Sequence, residues 1–295
     1  EIAARDFGAD SVDGFRSLVE REDIDAVMVL SGRWFGALPI LAACDAGKAV
    51  YCAAALDFDT EQATLLKQRI ESSGVAFMAE FPRRQAPATL RLKELIATHL
   101  GNPRLMFCHQ RVPTEAKHDQ RSAAPSAPVS RTHDLVELVD WCRYVAGSEP
   151  TSVLGLTHVS QCEPEQIDYE MMSLDFSGPG APGTRITAQI SSGRYMPSDW
   201  PEAVAFRPPA ALQVACENGI AFVDLPSSLI WFDKAGRHME SLDSERPVGE
   251  QMFSQFHRAV TSLVRNTAGL EDAYRAMLIV QAAHKSHAEG KRIAV

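Results

Sequence analysis

His133 and Asp134 stand side by side at the start of a segment, about Thr132 to Ala146, that reads as a helix. An imidazole titrates near neutrality, so His133 is the side chain best suited to move a proton as general acid or base. A surface or capping histidine is the alternative. Asp134, in the first helical turn, favours the positive end of the helix dipole and needs no catalytic role to be there. Arg83 and Arg84 follow the apolar run VAFMAEF, at the carboxyl end of an expected strand, where open α/β sheets bind ligands. A guanidinium at that place could grip a sugar hydroxyl, a carboxylate or a cofactor phosphate, or form a salt bridge to Glu80 or Glu94.

Other patterns carry less. A literal GxGxxG occurs at Gly178, Gly180 and Gly183, but Pro179 and Pro182 in the same loop have no amide hydrogen for a phosphate. The loop also leads into the alternating run TRITAQIS, a strand, where a phosphate site needs a helix; it reads as a hairpin loop. His284 and His287 have metal-ligand spacing on the last helix, yet no third ligand is evident, and no metal is expected. The six cysteines include no CxxC pair and lie mostly in apolar stretches, so they read as buried thiols of a reducing compartment, with a cytoplasmic location expected. The chain opens at Glu1 without a methionine, and any signal peptide would lie upstream.

These residues depend on the elements that carry them. From Ile2 to Phe81 helices alternate with short apolar runs: IDAVMVLS, AVYCAAAL and VAFMAEF are strands, and GALPILAACDAGK and TEQATLLKQRIESSG are the helices between them. Helices of about 10 to 15 residues linking short strands are βαβ crossovers, which imply a parallel sheet. RRQAPATLRLKELIATHLG then reads as one more helix and NPRLMFCHQRVP as a strand, followed by a Pro-, Ser- and Ala-rich loop over 112–130. Beyond the helix at 132–146, six runs from TSVLGLTHVS to SLIWFD read as strands joined by turns, an antiparallel pattern. Two closing helices carry apolar residues at three and four spacing, Phe253, Phe256 and Val260 among them, and would cover a sheet face.

At 295 residues the chain exceeds what one core usually organises. The expected fold class is α/β: an incomplete Rossmann-type parallel sheet domain over 1–100, and an α+β domain with a large, mostly antiparallel sheet over 101–295. A net charge of −9 disfavours a nucleic acid partner, and no apolar run has the roughly 18 to 20 residues of a membrane span.

The order of segments IDAVMVLS, LAACDAGKAVYC, ESSGVAFMAEFPRR, ATLRLKELI and LGNPRL resembles that of the Gfo/Idh/MocA oxidoreductases, the family of glucose-fructose oxidoreductase and inositol dehydrogenase. DWCRYVAGSEPTSV, LQVACENGIAFVD and LEDAYRAMLIVQAAHKSHAEGKRI extend the likeness over nearly the whole chain. The resemblance implies hydride transfer between NAD or NADP and a sugar or polyol, and self-association into a dimer or tetramer through the broad antiparallel sheet. It also implies that roughly 30 to 40 residues, with the glycine-rich turn and the ribose-binding acid, precede the first helix in a complete dinucleotide-binding domain.

Departures from the family pattern fall at its chemical positions. The family's Glu-Lys-Pro after AGKxVxC is Ala53, Ala54 and Ala55 here, and alanine cannot orient or protonate a substrate oxygen. The Thr-Pro near the nicotinamide is Ser31 and Gly32, and a following histidine is Gly36. Pro82 replaces an asparagine before the arginine pair. On the helix lining the site, the resemblance sets Glu137 at the family's histidine and Asp140 at its aspartate. Their i, i+3 spacing puts both carboxylates on one helix face, where either one pushes the pKa of the other upward to make an acid, or both form a solvated face beside Arg143. The expected catalytic residues are therefore His133, Glu137 and Asp140, and the expected cofactor contacts Ser31, Gly32, Ala53, Ala54 and Arg83. A non-catalytic sugar-sensing or partner-binding relative is the competing function.

Overall fold

The computed structural model describes residues 2–30, 35–53, 60–113, 131–159, 167–177, 185–197, 199–242, 246–262 and 267–295. In chain order these form helices α1 (Ile2–Phe7) and α2 (Phe15–Val19), strand β1 (Ala26–Val29), α3 (Leu38–Asp45), β2 (Ala49–Cys52), α4 (Thr60–Ser73) and β3 (Phe77–Ala79). Next come α5 (Pro82–Gln85), α6 (Pro87–Leu95) with a π-helical turn at Ile96–Leu100, β4 (Pro103–Pro113), α7 (Arg131–Ala146), β5 (Ser152–Val159), β6 (Ile167–Asp175) and β7 (Thr187–Met196). The remainder is α8 (Pro201–Ala205), β8 (Leu212–Cys216), β9 (Ile220–Asp224), β10 (Ser228–Asp233), β11 (Gly236–Ser241), α9 (Val248–Thr261), β12 (Thr267–Ala268), α10 (Leu270–Glu289) and β13 (Ile293–Ala294). They group into two compact units, Glu1–Glu80 with Glu250–Tyr274, and Phe81–Gly249 with Arg275–Val295.

The first unit is built on parallel strands in the order β1-β2-β3-β12. All four residues of β2, Ala-Val-Tyr-Cys, are buried, as a parallel strand covered on both faces requires. α3 gives way to β2 at Gly47, whose φ of 68° is a left-handed conformation that a Cβ disfavours. The apolar stripe of α9 is used here: the rings of Phe253 and Phe256 lie 5.1 and 5.4 Å from that of Tyr51 on β2. α4 is tied to the first turns of α10 by Lys67 to Glu271 at 2.5 Å and Thr64 to Tyr274 at 2.9 Å.

The second unit holds a nine-stranded sheet in the order β11-β10-β9-β8-β4-β7-β6-β5-β13. All neighbours are antiparallel except the central pair β4 and β7, which is parallel with Cys108 opposite Ile190. β6 and β7 are antiparallel neighbours, so the glycine- and proline-rich segment between them joins a hairpin; residues 178–184 themselves lie outside the described residues. α7 packs on β4 and β7, and α6 on β9 and β10.

Two expectations change. The helix expected over RRQAPATLRLKELIATHLG is broken, because the residue before Pro87 is driven out of the helical region: Ala86 has φ −62° and ψ 133°. That break leaves α5 as a single turn carrying Arg83 and Arg84. β11 was not foreseen, since GRHMES is largely polar; as the sheet's edge strand it needs only one partner, β10. α7 ends at Gly147, φ 67°, and Lys93 of α6 donates to the last carbonyls, Tyr144 O at 3.0 Å and Val145 O at 3.4 Å. Burial lowers the pKa of this lysine, but those carbonyls satisfy its hydrogens.

Gly155 on β5 lies directly against the backbone of α10. A Cβ there would land on the carbonyl of Ala283 in α10, and its N–H donates to Ser286 Oγ at 3.1 Å. Gly155→Ala is expected to lower the unfolding free energy by about 1–3 kcal/mol in a urea titration. Gly249→Ala, where nothing lies within 4 Å of the added carbon, should change it by less than about 1 kcal/mol and in the stabilising direction.

Candidate functional site

α7 is the organising element of the site in the second unit. Its sixteen residues place His133, Glu137, Asp140 and Tyr144 along one side and Asp134 one position round from it. His133 Nε2 lies 3.3 Å from Glu137 Oε1, one turn on. Arg83 of α5 donates from Nε to Glu137 Oε2 at 3.1 Å and from Nη2 to Gln110 Oε1 of β4 at 3.0 Å. Its guanidinium also sits 5.5 Å from the centre of the Trp141 ring, whose indole N–H donates to Thr89 Oγ1 at 3.0 Å. The arginine is thus oriented from three directions.

The next turn repeats the arrangement at greater depth. Arg84 donates from Nε to Asp140 Oδ2 at 2.5 Å and from Nη2 to Oδ1, a two-point contact, while Arg143 Nη1 lies 3.5 Å from Oδ1. The Asp140 side chain is 1% exposed. Arg84 lies over Phe81 and Tyr144, at 5.1 and 5.2 Å from the ring centres. Arg143 carries the network outward to Glu149, with bonds of 2.7 and 2.6 Å, and Arg275 Nη1 stands 3.6 Å from the same carboxylate.

Neither reading of the two carboxylates as a like-charged or solvated pair survives this geometry. Glu137 is 17% exposed and each acid has its own arginine. Burial pushes the Glu137 carboxyl upward, but the hydrogen bond from His133 and the charge and hydrogen bond of Arg83 outweigh it, so its pKa lies below the ordinary value. The acid stays ionised. Glu94 pairs with Arg91 at 2.8 Å, and the partners of Arg83 and Arg84 come instead from α7.

Three residues were missed from sequence. Gln110 holds Arg83, Arg194 Nη2 of β7 donates to Asp134 Oδ2 at 3.0 Å, and Ser192 lines a small recess with Ile167, Asp168, Tyr169, Glu170 and Arg194. Only strand pairing brings them together, and that pairing leaves no local signal. Ala53 lies in the first unit, where its N–H donates to Val29 O at 3.0 Å and continues the β1–β2 ladder at the carboxyl ends of both strands. Ser31, Gly32 and Ala54 lie outside the described residues. His284 pairs with Glu170 at 2.8 Å, and among the described residues no group of three His, Cys, Asp or Glu side chains is placed to hold a metal ion. Cys44, Cys52, Cys108, Cys142 and Cys216 are buried free thiols. Among the described residues no helix is long and apolar enough to cross a membrane.

No family model matches the chain. The uncharacterized oxidoreductase YrbE of Bacillus subtilis is 27% identical over 168 residues, 55% of this chain and 48% of that protein, so the match spans about half the relative's length. Among solved structures, the aldose-aldose oxidoreductase of Caulobacter crescentus complexed with glycerol superposes with a TM-score of 0.82 at 15% identity, over 100% of this chain and 88% of that one. A levoglucosan dehydrogenase in complex with NADH and levoglucosan gives 0.79 at 17% identity, over 100% and 86%. An NAD binding oxidoreductase from Klebsiella pneumoniae gives 0.77 at 16%, over 99% and 85%. The chain has the fold of the Gfo/Idh/MocA-type oxidoreductases, a small parallel sheet joined to a large, mostly antiparallel one.

Because Glu137 titrates lower in the folded chain, its stabilising contribution is complete above the ordinary value of 4.5 and is lost as the pH falls through the folded value. The stability difference between the native chain and Glu137→Gln is therefore expected to be largest near neutrality and to shrink on acidification. Denaturant titrations across the carboxylate range measure it, and a difference that grew in acid would contradict the assignment.

Proposed function

We propose that the chain acts as an NAD(P)-dependent oxidoreductase on a sugar or polyol, with the His133–Glu137 pair as its proton-transfer unit. The observation that carries the reading is that pair: a histidine 3.3 Å from a carboxylate that is itself oriented by an arginine. In this reading the first unit is the cofactor domain and the second the substrate domain. Ala53, at the carboxyl end of a parallel strand of the first unit, is with Ser31, Gly32 and Ala54 the proposed contact for the nicotinamide end. The fit is partial, because the GxGxxG of the chain joins antiparallel strands and these residues hold no glycine-rich strand-to-helix turn for the pyrophosphate.

A bound nicotinamide would accept hydride from the carbon of a substrate alcohol. The work of the chain is the accompanying proton. His133 takes it from the hydroxyl at the buried Nδ1, while Nε2 faces Glu137, whose ionised carboxylate offsets the positive charge the imidazole acquires. Arg83 holds Glu137 in register; Asp140, buried between Arg84 and Arg143, fixes α7 and does not reach substrate. In this scheme Asp140 and Arg83 are positioning residues. The NADH and sugar ligands of the levoglucosan dehydrogenase support the cofactor and substrate class.

The alternative, a sugar-binding module without turnover, is favoured by one observation, the alanines at 53–55 where the family has its lysine. The two separate in one assay. With a panel of sugars and polyols and either nicotinamide, turnover is expected to fall about 100-fold or more in His133→Ala while substrate binding changes little. Sugar binding with no turnover in the native chain would establish the module instead.

Self-association through the face of the large sheet opposite α7 is part of the same proposal. Leu105, Leu154 and Leu156 project from it with exposures of 46, 42 and 50%. Leu156→Asp is expected to convert a dimer or tetramer to a smaller species in sedimentation experiments. A native chain that sediments as a monomer would refute it.

A further inference from the structure

We infer that the site on α7 selects neutral sugars or polyols over sugar acids, and that the Asp134–Arg194 pair sets this choice. The inference rests on reading that site as a sugar site. Two guanidiniums bracket the N-terminal half of α7, and each is matched by a carboxylate: Arg83 by Glu137 at 3.1 Å and Arg194 by Asp134 at 3.0 Å. All four side chains are between 17 and 20% exposed, so the pairs are shielded but reachable.

The recess beside Arg194 adds two carboxylates, Asp168 and Glu170, to one guanidinium. Their partners are histidines, His158 at 2.6 Å and His284 at 2.8 Å. The positive end of the α7 dipole, which would favour an anion, already has Asp134 in its first turn. Among the described residues of this site, no cationic side chain is in excess of its carboxylates. A ligand carboxylate would enter partly buried surroundings without an unmatched positive charge to meet it.

A vicinal diol has the opposite chemistry. Each hydroxyl can donate to the carboxylate of a pair and accept from its guanidinium, so both halves of an ion pair are satisfied by one neutral ligand. Ser192 offers a further hydroxyl to such a ligand.

The test is calorimetric titration of the full chain with D-glucose and with D-glucuronate, which differ by one carboxylate. Native protein is expected to bind glucose at least about tenfold more tightly. Asp134→Asn removes the carboxylate in direct contact with Arg194 and should shift the ratio about tenfold or more toward glucuronate, while Arg194→Gln should shift it the other way. Opposite shifts in two variants are not what a purely structural role produces, and each variant stands if the other fails to fold. Equal or tighter binding of glucuronate by the native chain, or a ratio that neither variant moves, overturns the inference and leaves the sugar site standing. Binding of neither sugar overturns the sugar-site reading, and the inference with it.

Discussion

A carboxylate as deeply buried as Asp140 has to be matched where it sits, because an isolated charge inside a protein costs several kcal/mol. Arg84 supplies the match with a two-point contact from α5, and Arg143 reinforces it from the following turn of α7. Replacing such a pair with apolar residues is often no loss in stability, so its value lies in what it fixes. A helix packed by apolar contacts alone tolerates small rotations about its axis. α7 does not have that freedom: the planar guanidinium of Arg84, held between Phe81 and Tyr144, accepts one orientation of Asp140 and therefore one rotation of the helix. The directions in which His133, Asp134 and Glu137 point follow from it.

The same constraint decides the electrostatics of Glu137. Two acids three residues apart on a helix repel each other in proportion to how little else surrounds them, and in isolation one would be pushed toward the neutral form. Here each has an arginine from the four-residue helix α5, and the charges cancel pairwise before the carboxylates sense one another. Glu137 is thereby fixed as an anion, which suits it to orient and stabilise a protonated imidazole and unsuits it to donate a proton. In the proposed mechanism the role of acid or base passes to His133.

The sequence makes the parallel strands legible because each is a short apolar run between helices of regular period, and β2 shows it most clearly with AVYC buried throughout. The helix of His133 and Glu137 is legible for the same reason, and so is their one-turn spacing. What cannot be read is which distant segment meets it. Arg83 and Glu137 are 54 residues apart and Arg84 and Asp140 56, and nothing local distinguishes those arginines from ones that pair with Glu80 or Glu94. The break at Pro87 was readable, since a residue before proline leaves the helical region, and it alone explains why the arginines sit on a separate turn. The parallel pairing of β4 with β7, which brings Gln110 and Arg194 to the site from two strands of one sheet, is a long-range property of the sheet.

The alanines at 53–55 pose a question of charge more than of proton transfer. Removing a hydride and a proton from an alcohol needs one base, and in the proposed mechanism the His133–Glu137 pair is that base. A lysine does something else as well: its fixed positive charge favours the oxygen as negative charge builds on it. Arg83 and Arg194 cannot take over that part, because each already faces a carboxylate. Among the described residues, the positive charge that the proposed mechanism raises toward a reacting oxygen at the α7 site is therefore the one that His133 acquires by accepting the proton. In such a site proton transfer and charge stabilisation are a single event, so alcohols that lose the proton early in hydride transfer gain most from it. A substrate whose oxygen must first carry a full negative charge gains little. A neutral polyol, with adjacent hydroxyls that lower the cost of that charge by hydrogen bonding, meets this demand better than a ligand bringing a negative charge of its own.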